Sequence, residues 1–140
     1  MKKEKKSIKI SSRKAKARRL QDWVATSISN LLNIPWGHDD DSLIESRIMG
    51  QSGTDIILRG EALDKFKYSI ECKYTERWNV PEAMEQAIKN TKEGTNWLLF
   101  FKRNHIEPVV ILDAQVFFDL MKGFSNDKRR MEIVDQTCTK

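Results

Sequence analysis

Tyr68-Ser69-Ile70-Glu71-Cys72-Lys73 is the stretch from which the fold of this 140-residue chain is read. Side chains alternate across a strand, so Glu71 and Lys73 point to one face while Ile70 and Cys72 point to the other. One face then carries a carboxylate and an ammonium near the strand's end, and the opposite face enters the core. In the run just upstream, 54–59, Asp55 precedes the apolar Ile56 and Leu58 in the same alternation. If the two strands pair, Asp55 and Glu71 converge within the reach of one metal ion.

Working outward, three strand-like runs appear at 43–49, 54–59 and 67–73. Gly50-Gln51-Ser52-Gly53 separates the first two, and Gly60 opens the connection to the third. Upstream, Leu20, Trp23, Val24, Ile28, Leu31 and Leu32 recur at spacings of three and four, an amphipathic helix over 12–33. Ser11 or Ser12 can cap its start and Pro35 stops its continuation. Residues 37–42 read as a polar, acidic loop. Downstream, Asn79 and Glu82 are spaced for a capping box with Pro81 in the tolerated first turn, and Val80, Met84, Ala87 and Ile88 form the buried face. The apolar runs 97–101 and 108–112 predict strands buried on both faces, and a short helix over 114–121 ends at Gly123. Helix, three strands, helix, two strands, helix is the order of an α/β (α+β) layer structure with a central mixed sheet flanked by helices. The expected organisation is a disordered basic arm over 1–11, a single domain over 12–122 and a C-terminal tail over 123–140.

The net charge of +5 is unevenly spread. Residues 1–19 hold ten Lys or Arg (Lys2, Lys3, Lys5, Lys6, Lys9, Arg13, Lys14, Lys16, Arg18, Arg19) against Glu4, a local +9 that leaves −4 for the rest. A basic arm on a mildly acidic body suits attraction to phosphate, so Arg13, Lys14, Lys16 and Arg18 are candidate DNA contacts. No apolar run reaches membrane-spanning length and no signal-peptide core follows the basic start, which predicts no membrane partner and a cytoplasmic location. Cys72 and Cys138 belong to no C-x-x-C pair, and His38 and His105 stand alone, which argues against a disulfide framework, a zinc ribbon or a histidine-based metal site.

Two carboxylates with few other strong ligands suit Mg²⁺, which keeps several waters and takes further oxygens from phosphate. Lys73 beside the attacking water can orient or deprotonate it and offset charge building on phosphorus, giving a 5′-phosphate and a 3′-hydroxyl. Arg47, Ser52 and the pair Lys102 and Arg103 are further candidates for the phosphate backbone. Gln86, on the second helix, is a candidate neighbour of the site. Trp23, Phe100, Phe117 and Phe118 read as core or interface, and Trp78 as packing where the second helix begins.

Together Thr54-Asp55 and Glu71-Cys72-Lys73, in a helix–strand–strand–strand order, resemble the PD-(D/E)XK nuclease superfamily, with Thr54 where the family name has Pro. More narrowly, Gly50-Gln51-Ser52-Gly53-Thr54-Asp55-Ile56 with Tyr68-Ser69-Ile70-Glu71-Cys72-Lys73 is similar to phage-encoded Holliday junction resolvases related to archaeal ones, over about residues 12–112. The resemblance implies a restriction-endonuclease-like αβββαβ core and a Mg²⁺-dependent endodeoxyribonuclease of recombination and repair, with Mn²⁺ as a possible substitute. It implies a homodimer that resolves four-way DNA junctions by paired nicks, in the host cytoplasm if phage-encoded. Asp55, Glu71 and the backbone carbonyl of Cys72 would be metal ligands and Lys73 the water-side base. Archaeal-type resolvases add a glutamate on the first helix. Here the similar place holds Gln21, at the edge of the apolar stripe, while Asp22 lies on the far side. Gln21 or Glu45 would be the fourth site residue. The competing readings are a less selective repair or restriction endonuclease and a non-catalytic DNA-binding module.

Overall fold

A 23-residue helix, α1 (Ile10–Leu32), opens the computed structural model, which describes residues 10–137 and side chains as far as 131. Most of the expected basic arm, residues 1–9, and Cys138 lie outside the described residues. Ser11 and Ser12 sit inside α1, so neither is its cap. The helix stops where Asn33 takes a left-handed conformation (φ 56°), two residues before Pro35. Its buried stripe is Leu20, Gln21, Val24, Ala25 and Ile28, whereas Leu31 and half of Trp23 remain in solvent.

Six strands form one sheet in sequence order: β1 (Trp36–Gly37), β2 (Ile44–Ser46), β3 (Ile56–Leu58), β4 (Tyr68–Tyr74), β5 (Asn96–Arg103) and β6 (Ile106–Leu112). β1 and β2 are parallel, β2, β3 and β4 run antiparallel, β4 and β5 are parallel, and β6 returns antiparallel. Three further helices lie among the described residues: α2 (Gly60–Lys65), α3 (Val80–Lys89) and α4 (Ala114–Thr137). The architecture is a mixed α+β fold, a six-stranded mixed sheet flanked by helices.

Alternation sorts the sheet's side chains into two layers. Ile44, Ile56, Leu58, Ile70 and Leu98 pack with Leu20, Val24 and Ile28 of α1, while Leu99 and Phe101 pack with Ala83 and Ala87 of α3. Burying each large aliphatic side chain contributes about 1.5–3 kcal/mol. Asn79 Oδ1 accepts from Glu82 N–H at 3.4 Å and Asn79 Nδ2 donates to Glu82 Oε2 at 2.8 Å, which anchors the start of α3. On α3, Ala83 takes the buried place expected of Ile88, which is 53% exposed. Trp78 packs its ring against Phe101.

Other expectations need correcting. β2 and β3 are only three residues long, because loop 47–55 leaves the sheet where runs to 49 and from 54 were expected. α2, within the β3–β4 connection, was not foreseen. β6 is not buried on both faces: it is the sheet's edge, and Ile106, Val109 and Val110 are exposed. The last helix does not stop at Gly123. A helical glycine costs only about 1 kcal/mol, and α4 continues through it to Thr137, into the expected tail. No helix among the described residues is long and apolar enough to cross a membrane.

Candidate active site

β3 and β4 part company at one end, and the site lies in that opening. They pair antiparallel with Ile56 opposite Ile70, so Asp55 faces Glu71 one step further along. Asp55 N–H still bonds Ile70 O at 2.9 Å, but β3 ends there while β4 runs on. The Cys72 N–H, left without a strand partner, is satisfied by a side chain instead, donating to Asp55 Oδ2 at 2.7 Å. In a strand the N–H and C=O of one residue point to the same side, so the Cys72 carbonyl faces this edge too.

The buried Glu71 pairs with Lys73 on the same face, Nζ to Oε1 at 3.2 Å, as strand alternation requires. Lys73 Nζ also donates to Gln86 Oε1 at 2.7 Å. From α1, Gln21 Nε2 donates to Asp55 Oδ1 at 2.9 Å. Gln21 is 4% exposed, and its Oε1 is buried with no partner. These groups line one cleft of about 530 Å³ between the α1 and α3 layers, closed on one side by Gly50–Gly53.

The structure places the remaining candidates as follows. Arg47 donates through Nη1 to the Ser52 carbonyl and so braces the loop that carries Ser52 along the cleft. Gly53, at φ 101°, suits this turn because a Cβ there would stand 3.2 Å from the Arg47 guanidinium. Glu45 is not brought to the site: it is buried against Arg59, Oε2 to Nη2 at 2.5 Å, and does not line the cleft. Asp22 bonds Ser46 Oγ at 2.9 Å, away from the cleft. Lys14 and Arg18 are on α1 outside the cleft lining, and Arg103 lies 4.0 Å from Glu76. Lys16 and Lys102 gather around Tyr74 with Arg13 close by, beside the cleft rather than in it. Asn90 was not foreseen. It follows α3 as a polar cap and reaches both Glu71 Oε2 and the Gly53 carbonyl at 3.5 Å. Its only sequence signal was the position after Lys89.

Asp55 carries an electrostatic cost. Burial, with Glu71 opposite adding to it, pushes its carboxyl from 3.8 up to about 6, even though Cys72 N–H, Lys73 and Arg47 favour the anion. A cation between the carboxylates would relieve both effects. The available donors are all oxygens: Asp55, Glu71, the Cys72 carbonyl and, after a flip of its amide, the orphaned Gln21 Oε1. Among the described residues no three His, Cys, Asp or Glu cluster as a ready metal cage. A sparse oxygen set fits Mg²⁺, which retains water and accepts substrate oxygens, better than Zn²⁺.

No family model matches the chain, and no curated protein or solved structure is significantly similar to it.

Proposed function

We propose that the chain is a Mg²⁺-dependent DNA endonuclease selective for branched, four-way junctions. The observation that carries this is Asp55 facing Glu71 in an open-ended strand pair, with the partnerless Gln21 oxygen buried beside them. The order α1, β2–β4, α3, β5 supports the αβββαβ comparison, and it leaves the chemistry to be argued from the site itself. Bound there, Mg²⁺ would supply Lewis acidity to the scissile phosphate. Asp55 and Glu71 supply negative charge, which Gln21 and Asn90 hold in place. Lys73, steadied by Glu71 and Gln86, directs its ammonium into the same cleft, where it orients the attacking water and offsets charge on phosphorus.

Lys73→Ala is therefore expected to lower the cleavage rate by about 10²–10⁴-fold while leaving Mg²⁺ affinity within a few-fold. Rate against metal concentration checks this, and a loss of affinity as large as that of Asp55→Asn would remove Lys73 from its role.

A small domain has little surface for reading bases, and phosphate contacts carry almost no sequence information. Shape is then the available source of discrimination, and a dimer would match the junction's two-fold symmetry. A second copy would be received by α4, which packs extensively against no other described element. Phe117, Met121, Phe124 and Met131 lie on one side of this helix and are exposed. Phe117 and Met131 each stand seven residues from Phe124, so an antiparallel copy sets Phe117 against Met131 and Phe124 against itself. Phe124→Glu is expected to give monomers in sedimentation and to lose paired nicking; an unchanged dimer would place the interface elsewhere.

The reading itself is tested by junction and matched duplex competing in one tube with Mg²⁺. Preferential, symmetrically paired cutting of the junction is expected. Equal rates would favour a general repair or restriction nuclease, and binding without cutting a non-catalytic module.

A further inference from the structure

Beside the cleft, Trp23 is 50% exposed, although an indole is among the costliest side chains to leave in water. It lines a groove of about 460 Å³ with Lys16, Arg19, Tyr74, Lys102 and Asn104. Two ammonium groups converge on one ring there: Lys16 Nζ lies 5.7 Å and Lys102 Nζ 6.0 Å from the Tyr74 centroid. Their hydrogen bonds go to neutral acceptors, Lys16 to Asn104 Oδ1 at 2.8 Å and Lys102 to the Ile106 carbonyl at 2.7 Å. Neither is within ion-pair distance of a carboxylate among the described residues, and Glu107 is the single acid on the groove. Like charges gathered without a paired acid, against an exposed aromatic plane, are the requirements of a polyanion that also carries flat apolar rings.

Position narrows the ligand further. Tyr74 follows Lys73 on β4 and lines both this groove and the Asp55–Glu71 cleft, so the two adjoin at this residue. A polynucleotide crossing the cleft meets the groove next. Bases in a duplex hide their faces against one another, and only an unpaired strand can present one to an indole.

We propose that this groove is a second nucleic-acid subsite, which holds an unpaired strand with a base stacked on Trp23 and phosphates at Lys16, Arg19 and Lys102. It rests on the nuclease reading for the strand's origin, an opened arm of a branched substrate. Its test needs no cleavage, so the two can fail separately.

The test is fluorescence anisotropy of a labelled oligothymidylate, and of a duplex of equal length, titrated with the full chain in EDTA. Trp23→Ala is expected to weaken oligothymidylate binding by about five- to a hundredfold and duplex binding by less than about twofold. Trp23→Phe, which keeps an aromatic plane, is expected to restore most of the affinity. Lys16→Gln with Lys102→Gln is expected to flatten the salt dependence by about one to two in log–log slope. Oligothymidylate affinity unchanged in Trp23→Ala, or an equal loss on duplex, overturns the subsite. Circular dichroism of Trp23→Ala separates a lost contact from a lost fold.

Discussion

Asp55→Asn is expected to lower Mg²⁺-dependent DNA cleavage by about a thousandfold or more, and Glu71→Gln to do the same. Each substitution is nearly isosteric. An amide oxygen at position 55 can still accept from Cys72 N–H and one at position 71 from Lys73, while Gln21 and Asn90, which donate to the present carboxylates, need only turn their amides to match. What is lost is charge: removing one carboxylate leaves a neutral amide facing a single anion, and the cleft no longer attracts a divalent cation strongly. Rates measured at saturating Mg²⁺ on a labelled junction check this. Undiminished cutting by either variant would mean that the two strands' carboxylates do not hold the metal.

The second large effect runs in the opposite direction. In EDTA near neutral pH, Asp55→Asn is expected to stabilise the fold by about 1–3 kcal/mol. The folded carboxyl titrates at about 6 against 3.8 for an ordinary one. A group raised in the folded state favours folding fully below the lower value and loses that contribution as pH rises through the upper one. The ionised Asp55 is thus a penalty above about pH 6, and an uncharged residue removes it. Gln21, which now donates to Asp55 Oδ1, must turn its amide to accept from the new nitrogen, so one hydrogen bond is exchanged for another and the gain comes from the lost charge alone. The gap should close as pH falls from about 6 to 3.8. Urea denaturation of both proteins across that window checks the sign, and a variant less stable than the parent at neutral pH would contradict it. Stability surrendered at a pair of facing carboxylates is a mark of a site kept for charge rather than for folding.

Glu71 and Lys73 had to share a face because strand periodicity is two, and Gln21 could reach the site because it lies at the edge of a helical stripe. Periodicity says nothing about partners contributed by loops. Arg59 claimed Glu45 across the β2–β3 pair, a contact set by the register Glu45–Ile57 and invisible in either run alone. Asn90 reached Glu71 only because α3 ends above the strand. The apolar run 108–112 reads like an interior strand, yet sheet order puts it at the edge, where Val109 and Val110 stay exposed. Gly123 was weighed as a terminator, but a single glycine does not outweigh the helix-forming residues on both sides of it. α2 escaped because a six-residue helix shows too little periodicity to be distinguished from a polar turn.

End analysis of the cleavage products decides whether Asp55 and Glu71 form a metal-dependent phosphodiester-cleaving site. The full chain is incubated with an internally labelled four-way junction in EDTA, and again with Mg²⁺ restored, and the products are resolved on a denaturing gel with phosphatase treatment. No cutting is expected in EDTA, and with Mg²⁺ paired nicks near the branch whose new ends carry 5′-phosphates. No cleavage with either Mg²⁺ or Mn²⁺, or cleavage that persists in EDTA, would contradict such a site.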